Sequence, residues 1–267
     1  LRHLLTTTSE ELTLMVSASG YPSVAKGIAE ASVGRRSEKE WSAIMQATSH
    51  QLIMKRIWDE ERESRGENPL NEELHNLVEK YVQSGRMIRC SNAPERTSLM
   101  LHHYEGDDWL FHLIDRDIIH EFALISSNEI RDVIREYYGI TYDAYQENLS
   151  FNLTYQDFEQ LSNPNNVDKI KGGALFTLEE ETSFEMFLED LNKLNWRLFN
   201  ITNFSMEGPQ DDASPENIIF FLPSTRGVWV SEHHEDSERP VNFYLAGKSE
   251  WDEWLESIER LAKLQTT

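Results

Sequence analysis

A single cysteine, Cys90, stands in a chain of 267 residues, so no internal disulfide and no cysteine-based metal cluster can form. Positive charge is also scarce. Twenty-five Lys and Arg face 47 Asp and Glu, a formal net charge of −22 at pH 7. Residues 1–140 carry a net −7 and residues 141–267 a net −15. Such a field repels nucleic-acid phosphates and anionic lipid and attracts basic protein surfaces. Helices ahead of a hairpin could form a winged DNA reader, but that mode needs basic side chains on phosphates, so nucleic acid is not an expected partner.

Long apolar runs are missing too. No stretch approaches the roughly 20 apolar residues of a membrane span, and the first residues, LRHLLTTTSEEL, lack the apolar core of a signal peptide. The expectation is a cytoplasmic protein without membrane insertion, in which the sequons at Asn148, Asn152, Asn200 and Asn203 have no role. Glycine-rich phosphate loops, a Gly-X-Ser-X-Gly elbow and a Cys-His arrangement are not found, and Gly172-Gly173 alone is too little to make one. The sequence therefore predicts no catalytic residue and no cofactor, and a chain that is not an enzyme.

Aromatic residues are plentiful, with 7 Trp, 12 Phe and 9 Tyr, enough to fill a core. Their pattern repeats. Apolar runs Leu99–Tyr104 and Trp109–Ile114 flank the turn Glu105-Gly106-Asp107-Asp108, which reads as a β-hairpin. A third run, Ile118–Ile125, leads to Ser126-Ser127-Asn128-Glu129, a capping-box start for a helix with Ile130, Val133, Ile134 and Tyr137 on one face. Runs at Ile218–Leu222, Val228–Val230 and Val241–Leu245 repeat the order around the turn Pro223–Gly227. They end in a helix opening at Ser249 with Trp251, Trp254, Leu255, Ile258 and Leu261 on its apolar side. Both passages read strand, turn, strand, strand, capped helix, and a repeat of this kind decides the fold class. The prediction is an α+β protein, internally duplicated, with a pseudo-twofold central antiparallel sheet flanked by helical bundles. Its halves, residues 1–140 and 141–267, are expected to share one core.

Ahead of the first hairpin the pattern is helical. Starts at Thr8–Glu11 and Ser37/Glu40 open helices, the second running to Glu60, with a shorter one between them over Ser23–Ala31. Residues Glu60–Pro69 read as a connector, and Asn71–Gln83 as a helix stopped by Gly85. Phe184, Phe187, Leu188 and Leu191 repeat the spacing of Leu74, Leu77, Val78 and Tyr81, with Asn195 in place of Gly85. Short strands follow at Met87-Ile88 and at Trp196–Ile201, while Met206–Glu216 and Glu232–Pro240 read as surface loops.

Two histidine pairs carry metal-ligand chemistry, His102-His103 with Glu105, and His233-His234 with Glu235 and Asp236. Neighbours on a strand point to opposite faces, so neither pair converges readily on one ion, and no metal is expected. Trp109, Trp229, Trp251 and Trp254 read as core or groove-lining residues.

In its paired hairpin, strand and capped helix, the chain resembles the EspG family of cytoplasmic chaperones of type VII (ESX) secretion. The match is one of element order, and the closing segments Arg226–Val230 and Trp251–Leu264 are similar in kind to the carboxyl end of that family. The Trp-rich last helix and the acidic second half depart from its pattern. The resemblance implies a non-catalytic chaperone or adaptor that binds a protein client, possible contacts being Tyr104, Glu105, Gly106, Asp107, Asp108 and Trp109 at the hairpin turn. The alternative is an acidic immunity protein that neutralises a basic toxin by electrostatic complementarity.

Overall fold

The computed structural model describes residues 2–141, 148–206, 208, 213–235 and 237–264. The protein is α+β. Among the described residues ten strands are hydrogen-bonded in the order β1-β5-β4-β3-β2-β7-β8-β9-β10-β6. They are β1 (Arg2–Thr8), β2 (Arg86–Asn92), β3 (Thr97–Glu105), β4 (Asp108–Asp115) and β5 (Ile119–Ser126), then β6 (Ser150–Leu153), β7 (Phe199–Ser205), β8 (Ser214–Pro223), β9 (Val228–His233) and β10 (Val241–Ala246). Read inward from either end, the order is first, fifth, fourth, third, second strand of that half. The chain divides into two compact units, one of Leu1–Arg89, Arg96–Ser127 and Asn203–Glu216, the other of Cys90–Glu95, Asn128–Thr202 and Asn217–Thr267. This division follows contacts and does not fall at 140/141.

In the first unit, β1 pairs antiparallel with β5, β5 with β4, and β4 with β3. The helices are α1 (Ser9–Ala18), α2 (Pro22–Val33), α3 (Glu38–Met54), α4 (Glu60–Ser64) and α5 (Glu72–Gln83). α1 opens on a capping box in which the Thr8 hydroxyl accepts from Glu11 N–H and the Glu11 carboxylate accepts from Thr8 N–H. Ser37 and Glu40 do the same for α3. Leu12, Met15 and Val16 on α1, Leu52 on α3 and Leu77 and Val78 on α5 pack with Leu5, Leu110 and Phe122 of the sheet to form the core.

α3 stops at Met54, short of the expected Glu60. Arg56 takes a left-handed φ of 60°, and the N–H groups of Ile57 and Trp58 turn back to donate to the Leu52 carbonyl at 2.9 and 3.3 Å. Trp58 then bridges to Leu70, and the short α4 occupies what reads as a connector. Strand β1 lies in a stretch whose Leu4-Leu5 pair is too brief an apolar signal to announce it. Its partner β5 supplies the missing hydrogen bonds from more than 100 residues away. Gly85 has an ordinary φ, so Ser84 ends α5 without a left-handed residue.

In the second unit, β6 pairs with β10, β10 with β9, and β9 with β8, all antiparallel. The helices are α6 (Ile130–Tyr138), α7 (Tyr155–Gln160), α8 (Val167–Gly173), α9 (Leu178–Lys193) and α10 (Lys248–Leu264). Phe151, Phe184, Phe187, Trp229 and Phe243 form an aromatic core, with Phe151 stacked on Phe243 at 5.4 Å between centroids. The outward N–H groups of β6 are covered by α9. Ser150 N–H donates to the Ser183 hydroxyl at 3.2 Å and Asn152 N–H to the Glu180 carboxylate at 3.3 Å, which closes an edge that could otherwise template another strand.

Asn195 is left-handed as expected, but Trp196 is too, so β7 begins at Phe199, three residues later than the pattern suggests. The expected loops are shorter than they read, because β8 starts at Ser214 and β9 runs to His233. Residues 207, 209–212 and 236 of those loops lie outside the described residues. α10 begins at Lys248, ahead of the expected Ser249 box, with Gly247 N–H donating to the Glu250 carboxylate at 2.8 Å. Among the described residues no helix is long and apolar enough to cross a membrane.

Candidate functional site

The hairpin turn of the first unit is built by register. Glu105 and Asp108 close the β3–β4 ladder around Gly106-Asp107, with Gly106 at φ +55° in the left-handed region that glycine enters without a Cβ clash. Tyr104 is the extra residue of a bulge between His103 and Glu105, and bulges re-aim side chains. Its ring leaves the turn to pack on the core, beneath Lys80 Nζ at 5.8 Å from the ring centroid, and burial pushes its phenol pKa up.

Contacts from Ser127 and Lys80, and one bond within the hairpin, then hold the turn. Asp108 pairs with Ser126 at the end of β5, which brings the next residue, Ser127, against Asp107. Ser127 N–H donates to the Asp107 carbonyl at 2.9 Å, and the Ser127 hydroxyl donates to the Asp107 carboxylate. Lys80 on α5 donates to Glu105 at 3.1 Å, and His103 Nε2–H donates to the Gly106 carbonyl at 3.0 Å. Glu105, Asp107 and Asp108 are exposed. The arrangement presents carboxylates on a backbone that is already ordered, so a cationic partner meets it at little further entropy cost.

Of the six expected contact residues, Trp109 has no surface to offer. Its side chain is 1 % exposed, packed edge-on to His103 at 5.4 Å between centroids. Alternation explains this, since a residue one step from an exposed strand end faces the opposite side. The segment Ser126–Glu129, where a capping box is expected, leads into α6 through a further turn. Residues Ser127–Glu129 form a 3-10 turn, α6 has no side-chain cap, and Ser127 is spent on the hairpin.

The histidines separate as strand geometry requires. His102 faces the core and His103 the turn, whereas His233 meets the Tyr155 hydroxyl and His234 approaches Glu232 at 3.9 Å. Asp236 lies outside the described residues. Among the described residues no group of three or more His, Cys, Asp or Glu side chains is placed to hold a metal ion. A different cluster went unread. His102, His112 and His120, one from each of β3, β4 and β5, share a face of the sheet beneath Tyr81, and all are buried. His112 stacks on Phe122 at 4.3 Å between centroids and on His120 at 5.1 Å. Burial lowers the pKa of His102 and of His120 to about 4, and holds that of His112 well below its ordinary value. Counting register across the two turns at period two would have found it.

In the second unit, Asp190 on α9 is a buried carboxylate beside a cavity of about 370 Å³. Burial opposes its ionisation, but donors from Lys193, Ser224 and Trp229 outweigh this and hold its pKa below the usual range. Lys193 Nζ lies at 2.8 Å, Trp229 Nε1 at 3.2 Å and Arg226 at 3.6 Å, so the group is neutralised within the fold and its role is structural.

No curated protein matches the chain. The family model described as "Uncharacterised protein YfjC" matches residues 6–245, which span the hairpin, the buried histidines and Asp190 alike, and the chain belongs to that family.

Proposed function

We propose that the protein is a non-catalytic adaptor or chaperone of the cytoplasm that binds a protein client through a basic segment of that client. The observation that carries this reading is the turn Tyr104–Asp108, where exposed carboxylates sit on a backbone fixed by Ser127 and Lys80. An exposed loop held this firmly loses little freedom on binding, and the net charge of −22 steers a basic partner toward it. Resemblance to the EspG chaperones supports the same reading, with a client destined for secretion. The strand order that repeats from either end of the sheet favours the internal duplication on which that resemblance rests.

Co-purification from the native host tests this. Glu105→Lys with Asp108→Lys inverts the turn and leaves the Asp107 tether in place. The double variant should lose a partner that the wild type retains, with an unchanged circular dichroism spectrum, whereas equal recovery would reject the turn as the contact. A second reading, an immunity protein, draws on the same acidic turn. It predicts that the recovered partner is toxic when produced alone and harmless together with this chain.

A further inference from the structure

Helices α1, α2 and α3 of the first unit enclose a cleft of about 470 Å³ whose chemistry is unlike that of the rest of the chain. Its apolar lining comes from Leu14 on α1, Ala25 and Ala29 on α2, and Trp41 and Met45 on α3. Ala25 and Ala29 are one helical turn apart, as are Trp41 and Met45, so a flat small-residue wall meets a tall aromatic one. Four charged residues also line the cleft: Lys26, Glu30, Arg35 and Arg36. Lys26 and Glu30 offset each other at 4.0 Å. Arg35 and Arg36 have no ion-pair or hydrogen-bond partner for their side chains among the described residues, although Arg36 feels the field of Glu40. Two exposed guanidinium groups thus stand over an apolar recess in a chain of net charge −22.

We propose that this cleft binds a single-chain anionic amphiphile, with the aliphatic tail against Leu14, Ala25, Ala29, Trp41 and Met45 and the head group held by Arg35 and Arg36. The volume is that of a small-molecule site, and such sites combine a mostly apolar lining with a few charged groups that fix orientation. Guanidinium groups suit carboxylate or phosphate heads because their planar fork can donate two parallel hydrogen bonds. The electrostatics exclude a cationic head, and a neutral one would leave both arginines unused. The site is independent of the acidic turn, so either proposal can fail without the other.

Titration calorimetry with dodecanoate below its micelle-forming concentration is the test, with dodecyltrimethylammonium as the opposite-charge control. One dodecanoate per chain should bind saturably and the cation should not. Arg35→Ser with Arg36→Ser, both exposed positions, should weaken binding by about tenfold or more, as expected for loss of charge-assisted hydrogen bonds. Ser17→Trp, from the exposed rim, should block the cleft, and circular dichroism checks that each variant folds. Failure to bind, several molecules per chain, equal binding of the cation or indifference to the arginine substitutions would each overturn the proposal. So would binding of an acidic amphipathic peptide, or of phosphatidylglycerol vesicles, by a chain that ignores free dodecanoate.

Discussion

His112 Nε2 and His120 Nδ1 lie 2.8 Å apart inside the first unit, and the direction of their hydrogen bond is fixed by a serine. The Ser9 hydroxyl donates to the Asp117 carbonyl at 2.8 Å, so at 3.0 Å it accepts from His120 Nε2–H. Burial keeps both rings neutral, so His120 Nδ1 accepts from His112 Nε2–H. His112 Nδ1 and both nitrogens of His102 have no hydrogen-bond partner, so a proton added there would meet no acceptor.

Acid should therefore loosen the first unit. A histidine that is neutral when folded and titrates near 6.5 when unfolded contributes full stability above pH 6.5, and that contribution falls as the pH drops toward about 4. Asp117 and Glu10 oppose the shift at His120 without cancelling it, so all three rings contribute. On the order of 3 kcal/mol should be lost over this range for each of His102 and His120, measurable as a falling urea midpoint. His102→Leu with His112→Phe should flatten the profile, and an unchanged slope would show that other groups govern it.

Ser127→Ala should free the hairpin turn while sparing the sheet. The backbone bond from Ser127 N–H to the Asp107 carbonyl survives, and the hydroxyl bond to the carboxylate does not. A loss of about 1–2 kcal/mol is expected for a hydrogen bond to a charged group. Hydrogen exchange should speed up at Gly106 and Asp107 more than at mid-strand residues, and uniform exchange would contradict the tether.

Glu11 combines a capping box with an ion pair to Lys55 at 2.7 Å, and its side chain is 1 % exposed. Glu11→Ala should cost about 2–4 kcal/mol in denaturant unfolding, because the cap and the partner of a part-buried ammonium go together. Lys55→Met should cost less, since Thr8 N–H still serves the carboxylate. Equal losses would mean that the ion pair outweighs the cap.

Gly227→Ala should disturb the entry to β9. A Cβ there would stand 2.5 Å from the Ala246 carbonyl oxygen, closer than any stable contact, and the obstacle is backbone that cannot rotate away. Destabilisation of about 1–3 kcal/mol is expected by analogy with overpacking. Ala at Gly27, where the space is open and the position helical, is the control and should be neutral or slightly stabilising.

Much of the architecture was legible locally. The hairpin at Gly106, the capping boxes at Thr8 and Ser37 and the amphipathic faces of α5 and α10 each depend on residues within a few positions of one another. β1 and β6 were not legible, because a short edge strand owes its conformation to a distant partner rather than to its own pattern. Of the candidate site, the acidic turn could be read directly. Its rigidity could not, since only the pairing of β5 with β4 delivers Ser127 to Asp107.

By itself the sequence determined the α+β class, the strongly acidic field and the positions of most helices and strands, because charge adds along a chain and backbone preferences act over a few residues. Only the tertiary structure decided that three separated histidines lie in one dry layer, that Trp109 faces inward and that two arginines stand over an apolar cleft. Those facts depend on register and on which surfaces exclude water, and both are fixed only when distant segments pack.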